Sequence, residues 1–194
     1  SQPIISLEIE SNKLQNNPNG VGCIARFKFA TEGFDKLVVT TALSPTSLEG
    51  AQKNLQAEAK TDDFDAVRRQ AETLWNKELG RIEIEGASKS QESVFYTSLY
   101  HAMSAPTLLC DVDGTYLGAD RKLHKADGWN NYETCSLWDT YRAAHPLYDI
   151  LMPVRAGEMV NSLIAFSKEN GRLPIWNMWS SETDMMLGYH AASV

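Results

Sequence analysis

LVVTTALSPTSLEGAQKNLQAEA, residues 37–59, holds the point where the chain changes its period. Its first seven residues, Leu37 to Leu43, are apolar and rich in β-branched types, as a strand prefers. Ser47 then stands as an N-cap before LEGAQKNLQAEA, whose pattern is helical. Back toward Ser1, ISLEIES and CIARFKFA alternate apolar and polar residues as half-buried strands do, and NNPNG (Asn16 to Gly20) between them signals a turn. Forward, Asp62 or Asp63 opens a helix with Phe64, Val67, Ala71, Leu74 and Trp75 on one face, and Gly80 closes it. RIEIE is a brief alternating segment. Ser88 and Gln91 have capping-box spacing for a helix through Phe95, Leu99, Ala102 and Met103 to Pro106. Residues 107–133 read as a long loop with a hairpin around Asp113-Gly114. CSLWDTYRAAHP (Cys135 to Pro146) begins another helix, which His145-Pro146 should end. Ala156 to Glu169 is amphipathic, with Met159, Val160, Leu163 and Ile164 inward and Gly171 at C′. A last helix is expected from Ser181 or Glu182. Strands followed by successive helices predict an α+β multidomain chain. Its parts are a β domain over residues 1–44, linker helices over 45–87 and a helical domain over 88–194, both domains looking cut.

Composition narrows the function classes. The 194 residues are 43% hydrophobic and 22% charged, with 18 basic against 25 acidic residues and a net charge of −7. Without clustered Lys and Arg, a nucleic-acid or anionic-membrane partner is not expected. No apolar run approaches the roughly 20 residues of a membrane helix. SQPIISLEIE lacks the basic start and apolar core of a signal peptide, so a leader or a larger piece would lie upstream of Ser1. Cys23, Cys110 and Cys135 are too widely spaced for a disulfide framework or a zinc site and read as buried free thiols. DVDGTYLGAD (Asp111 to Asp120) fails as an EF-hand: Gly falls at the fourth position and Lys122 stands at the twelfth. His101, His124, His145 and His190 are scattered, and no phosphate-binding glycine loop or G-x-S-x-G is present.

Two stretches concentrate chemistry. In the first, a helix would make neighbours of Asp139 and Arg142, and of Trp138 and Arg142. That is either an intrahelical ion pair beside a packed indole or one wall of a sugar site. A carboxylate can accept two vicinal hydroxyls, and an indole can cover the apolar face of a sugar ring. The second, LPIWNMWSSETDMMLGYH (Leu173 to His190), gathers Trp176, Trp179, Glu182, Asp184, Tyr189 and His190. It reads either as a helix start with acidic dipole partners and core aromatics or as a second wall. Two such aromatic-acidic clusters in one chain favour a carbohydrate-binding cleft.

SLWDTYRAAHPL and GRLPIWNMWSSETDMMLGYHAASV, together with FYTSLYHAMSAPTLLCDVDGTYLGAD and LWNKELGRIEIEG, resemble the α-mannosidases of glycoside hydrolase family 92. The resemblance is collinear over residues 70–194, and the strands before residue 45 fit the family's N-terminal β-sandwich more loosely. It implies the end of an antiparallel β-sandwich followed by the first helices of an (α/α)6 barrel. It also implies calcium-dependent, inverting, exo-acting release of α-linked mannose from glycans, of α-1,2 type, by a secreted, periplasmic or cell-surface enzyme. Trp138 and Asp139 match the family's W-D pair at the floor of the mannose pocket, and Glu182 and Thr183 match its E-T pair lining the cleft. Arg142 is then the structural support of Asp139. The proton-transferring acid and base belong to motifs expected beyond Val194, and a glycine-rich sandwich loop before Ser1. No catalytic residue and no metal ligand is therefore assigned to this chain, with Ca2+ held mostly from outside it, and the 194 residues alone are expected to be inactive. Asn177 stands where many relatives carry the Glu of W-E-L, a departure that leaves the linkage preference open among α-1,2, α-1,3, α-1,4 and α-1,6. The other reading is a non-catalytic carbohydrate-binding or scaffold module on the same fold.

Overall fold

The computed structural model describes residues 4–14, 17–29 and 36–194. It divides into two compact units, Ser1–Val39 and Thr40–Val194. In the first, β1 (Ile4–Leu14) and β2 (Asn17–Phe29) form an antiparallel hairpin. The predicted alternation holds: Leu7 faces Phe27 and Ile9 faces Ala25, while Glu8 faces Arg26 on the other side. Arg26–Glu10 and Lys28–Glu8 ion pairs lace the polar face. Four of the five residues expected to form the turn lie in β2 instead. β2 already includes Asn17 to Gly20, and Asn17 pairs with Leu14 while Val21 pairs with Lys13. Pro18, Asn19 and Gly20 thus fall in a bulge, where the missing proline N–H breaks no ladder bond. Asn16 lies outside the described residues.

The expected strand over Leu37 to Leu43 does not form. A strand needs a partner edge for its N–H and C=O groups, and none pairs with this segment among the described residues. Val39 and Leu43 are 69% and 82% exposed.

The first three helices of the second unit begin where side-chain caps place them. The Ser47 side chain accepts from the Gly50 N–H to start α1 (Leu48–Glu58). Asp63 caps α2 (Phe64–Leu79), which ends at Gly80. Ser88 and Gln91 close a reciprocal capping box on α3 (Lys89–Ala102). Between α3 and the next helix the predicted long loop contains short strands: β3 (Thr107–Leu108), β4 (Thr115–Leu117), β5 (Leu123–Lys125) and β6 (Tyr132–Glu133). β4 pairs with β5 and β3 with β6. The hairpin tip is Gly118 to Lys122, closed by a Gly118 N–H to Lys122 carbonyl bond. Asp113-Gly114 is instead the turn that leads into β4. Its Asp113 carboxylate accepts from the Thr115 N–H at 3.1 Å, and Gly114 takes φ +82°.

Asp111 is the buried clamp of this region. It is 3% exposed and accepts from Asn54 at 2.8 Å, from Ser44 at 2.9 Å and from the Thr46 hydroxyl. Asn54 returns a bond from the Val112 N–H. The acidic turn motif therefore ties α1 to the strand region.

β7 (Cys135–Ser136) leads directly into α4 (Leu137–Thr140), a single turn. A separate helix, α5 (Ala144–Leu151), follows and carries His145-Pro146 in its first turn. The expected stop at Pro146 is corrected to a start, because a first-turn residue has no intrahelical N–H bond to lose. α6 (Pro153–Asn170) is longer than the predicted span and ends at Gly171 with φ +85°, as expected of a C′ glycine. Its buried face is Ala156, Met159, Leu163 and Phe166, whereas Ile164 is 44% exposed. Leu163 packs with Cys135, Leu137 and Ala191, and Met159 and Ala156 pack with Tyr148 and Met152. One helix thus serves two clusters, each large apolar side chain contributing about 1.5–3 kcal/mol on burial. No helix starts at Ser181 or Glu182. The chain instead makes a short strand, β8 (Trp176–Asn177), and ends in a 3-10 turn at His190–Ser193. Among the described residues there are six α-helices and small two-stranded sheets.

Candidate functional site

The two aromatic-acidic clusters meet through β7 and β8. Cys135 pairs with Asn177 and Ser136 with Trp176 in antiparallel register. The Cys135 N–H also donates to Asn177 Oδ1 at 3.3 Å. Cys135 and Leu137 are 2% and 0% exposed, which pins the strand end and the first residue of α4 in the core. Burial pushes the Cys135 thiol up to about 12, so it stays protonated and inert. Cys110 is also a free thiol, half-buried, and the Cys23 side chain lies outside the described ones.

With Leu137 buried, the next two residues turn outward. Trp138 is 37% exposed, and Asp139 is exposed. Asp139 Oδ2 accepts from the Ser136 hydroxyl at 2.6 Å. The expected Asp139–Arg142 support is not what forms. Arg142 donates to the Trp138 carbonyl at 3.4 Å and lies over the Tyr141 ring at 5.5 Å. α4 lasts only one turn, so the three-residue helical spacing is not sustained to Arg142. Ser136, one turn earlier, takes the carboxylate instead. Tyr141 stacks on His190 at 4.5 Å, joining α4 to the last turn of the chain.

Glu182 has the opposite character. Its carboxylate accepts from the backbone N–H groups of Ile175 at 2.6 Å, Trp176 at 3.1 Å, Thr183 at 3.0 Å and Asp184 at 3.3 Å. The Thr183 N–H also donates to the Trp176 carbonyl. An acid just after serines, read as a helix start, is therefore a staple for an extended strand and the turn behind it. Thr183 Oγ1 is buried with no hydrogen-bond partner. A path of contacts runs from Asp139 through Ser136 and the β7–β8 pair to Trp176 and Glu182. Sequence-predicted Trp138, Asp139, Glu182 and Thr183 are thus brought to one small sheet and its flanks.

Asn177 is 4% exposed, and its amide oxygen accepts from the Cys135 N–H. The sequence reasoning missed Glu133. It is 5% exposed, and its Oε2 accepts from the Ser180 N–H at 2.9 Å. Burial pushes its carboxyl pKa up, opposed by the Ser180 and Trp179 N–H groups. Nothing in the local pattern of NYETC marks that residue as buried. Among the described residues no group of three or more His, Cys, Asp or Glu is arranged to hold a metal ion. These side chains therefore do not by themselves fit a calcium cage.

Comparison with known proteins matches residues 50–194 to the model of the glycosyl hydrolase family 92 catalytic domain. A family GH92 α-mannosidase, BT3965 from Bacteroides thetaiotaomicron, superposes with a TM-score of 0.72 at 38% identity, over 77% of this chain and 20% of that one. The same enzyme has been solved in complex with mannoimidazole. The inverting mannosidase BT2199 from the same bacterium gives a TM-score of 0.80 at 25% identity, over 99% of this chain and 27% of that one. The chain therefore spans about a fifth to a quarter of the length of these solved relatives. No curated protein matches it. The family model begins inside α1 and runs through both β7 and β8, so the paired W-D and E-T segments lie wholly within it, and the chain belongs to glycosyl hydrolase family 92.

Proposed function

We propose that this chain is part of a calcium-dependent, inverting exo-α-mannosidase, α-1,2 in type, that releases mannose from glycans outside the cytoplasm. In this reading residues 1–44 belong to a β-sandwich, residues 45–87 to linker helices and residues 88–194 to an (α/α)6 barrel. Trp138 and Asp139 form the floor of the mannose pocket, and Glu182 and Thr183 line the cleft beside them. The observation that carries the reading is the β7–β8 register, which sets the exposed Asp139 and Trp138 next to the segment that Glu182 staples.

The chemistry follows from the side chains. An exposed carboxylate oriented by Ser136 accepts hydrogen bonds from adjacent sugar hydroxyls, and a partly exposed indole covers a C–H face. Glu182 positions backbone, and the buried Thr183 hydroxyl has hydrogen-bonding capacity to spare. Inversion requires a general acid and a general base about 6.5–9.5 Å apart, with water between them. Both are assigned outside these 194 residues. The calcium ligands are likewise assigned mostly outside this chain, and none of the steps given to its residues passes through the ion.

The test is direct. The full-length protein, given an α-mannoside and followed by proton NMR, should release mannose first as the β-anomer, and chelation should stop release. Mannose appearing first as the α-anomer would refute inversion, and full activity after chelation would refute calcium dependence.

A further inference from the structure

The residues after β8 form a second feature of the same region. Met178 and Ser181 exchange backbone hydrogen bonds, N–H to O at 2.8 Å and 3.1 Å. Asn177 and Glu182 bridge behind them. The two residues between, Trp179 and Ser180, have φ +50° and +55°. That is a two-residue hairpin turn with both central residues in the left-handed region, the pattern that favours Asn-Gly. A bulky residue at positive φ costs free energy and persists only where its surroundings hold it.

Here the surroundings do hold it. Buried Glu133 accepts from the Ser180 N–H, the Trp179 N–H faces the same carboxylate, and the Ser180 hydroxyl donates to the Leu117 carbonyl at 2.5 Å. What the turn delivers is an indole 65% exposed. It lines a groove of about 1000 Å³ together with Leu108, Glu133, Thr134 and Met178. Thr134 meets Thr107 hydroxyl to hydroxyl at 3.0 Å in the same groove.

We propose that Trp179 is a specificity-determining platform for a sugar ring of the glycan, presented by Glu133 as its positioning residue. The inference deepens the mannosidase reading and rests on it. The hairpin whose base holds Glu182 and Thr183 carries the indole at its tip. An exposed aromatic face matches the apolar C–H face of a pyranose, and the Thr107–Thr134 hydroxyl pair on the groove wall matches its edge. The folding preference of such a turn is for Asn-Gly or a similar pair, not for Trp.

The experiment uses the full-length enzyme and α-1,2-mannobiose, measuring kcat, KM and Tm for wild type, Trp179→Asn and Trp179→Phe. Asn suits the turn better than Trp, so Trp179→Asn should keep or raise Tm while KM rises about tenfold and kcat changes little. Trp179→Phe should recover most of the lost affinity. An unchanged KM in Trp179→Asn overturns the platform and leaves the mannosidase reading standing. A fall in Tm with KM unchanged also overturns it, since the indole would then be packing against another part of the polypeptide. A wild-type enzyme that frees no mannose from any α-mannoside overturns the mannosidase reading and this inference together.

Discussion

The Ser136 hydroxyl donates to Asp139 Oδ2 at 2.6 Å, across the junction where a two-residue strand becomes a one-turn helix. This contact fixes an exposed carboxylate beside an exposed indole without neutralising its charge. Ser136→Ala should therefore lower kcat/KM toward an α-mannoside by about tenfold, through a raised KM and without a change in folding. Steady-state kinetics with a parallel Tm measurement check it.

Glu182 is engaged by four backbone N–H groups, so its removal is a folding defect before it is a binding defect. Glu182→Ala should cost about 3 kcal/mol of stability, the range expected when several hydrogen bonds to a charged acceptor are lost. Glu182→Gln should be nearly as harmful, because its amide nitrogen is a donor and would face N–H groups. Denaturant midpoints of both variants read this out. A Gln variant as stable as wild type would contradict the staple.

At Gly50, a Cβ would lie 2.5 Å from Asp111 Oδ2 and 2.5 Å from Ser44 Oγ. Gly50→Ala must therefore push apart the clamp that binds α1 to the strand region. Although alanine favours a helix, overpacking should prevail and destabilise the protein by about 2 kcal/mol. Thermal unfolding provides the check, and a gain in Tm would show that the clamp yields.

His145 sets an acid-side limit on stability. It is 4% exposed and its Nε2 has no partner. Burial lowers its pKa below the ordinary 6.5, with Asp149 pulling the other way. The unfolded chain thus binds a proton at a higher pH than the folded one, so stability is full above 6.5 and falls as the pH drops below it. Glu133, with its pKa raised, acts in the opposite sense in the window above 4.5. Comparing wild type with His145→Gln isolates the histidine. The difference in urea midpoint between the two should shift in favour of the variant from pH 7.5 to pH 5.

How much of this was legible in the sequence depends on the range of the interaction. Ser47, Asp63, Ser88 and Gly171 announce helix ends because a cap is satisfied within a few residues. Trp138, Asp139 and Glu182 stood out by type and spacing, whereas Thr183 was named only through the collinear resemblance. The pairing of β7 with β8 was invisible, since a two-residue strand has no period and Cys135 is 42 residues from Asn177. Local pattern misled where one motif serves two backbones. An acid after serines caps a helix or, as at Glu182, staples a turn. Pro146 can follow a helix or sit in its first turn. Leu37 to Leu43 have strand propensity but no partner edge among the described residues. The burial of Glu133 depends on elements distant in sequence, and no local pattern encodes it.

In the proposed reading Asp139 meets mannose rather than serving the core. Asp139→Asn in the full-length protein tests it most directly, because the amide oxygen still accepts from Ser136 while the charge is gone. A loss of kcat/KM toward an α-mannoside of about a hundredfold or more is expected, with Tm unchanged. A variant that keeps wild-type kcat/KM, or one that loses activity only in proportion to lost stability, would contradict it.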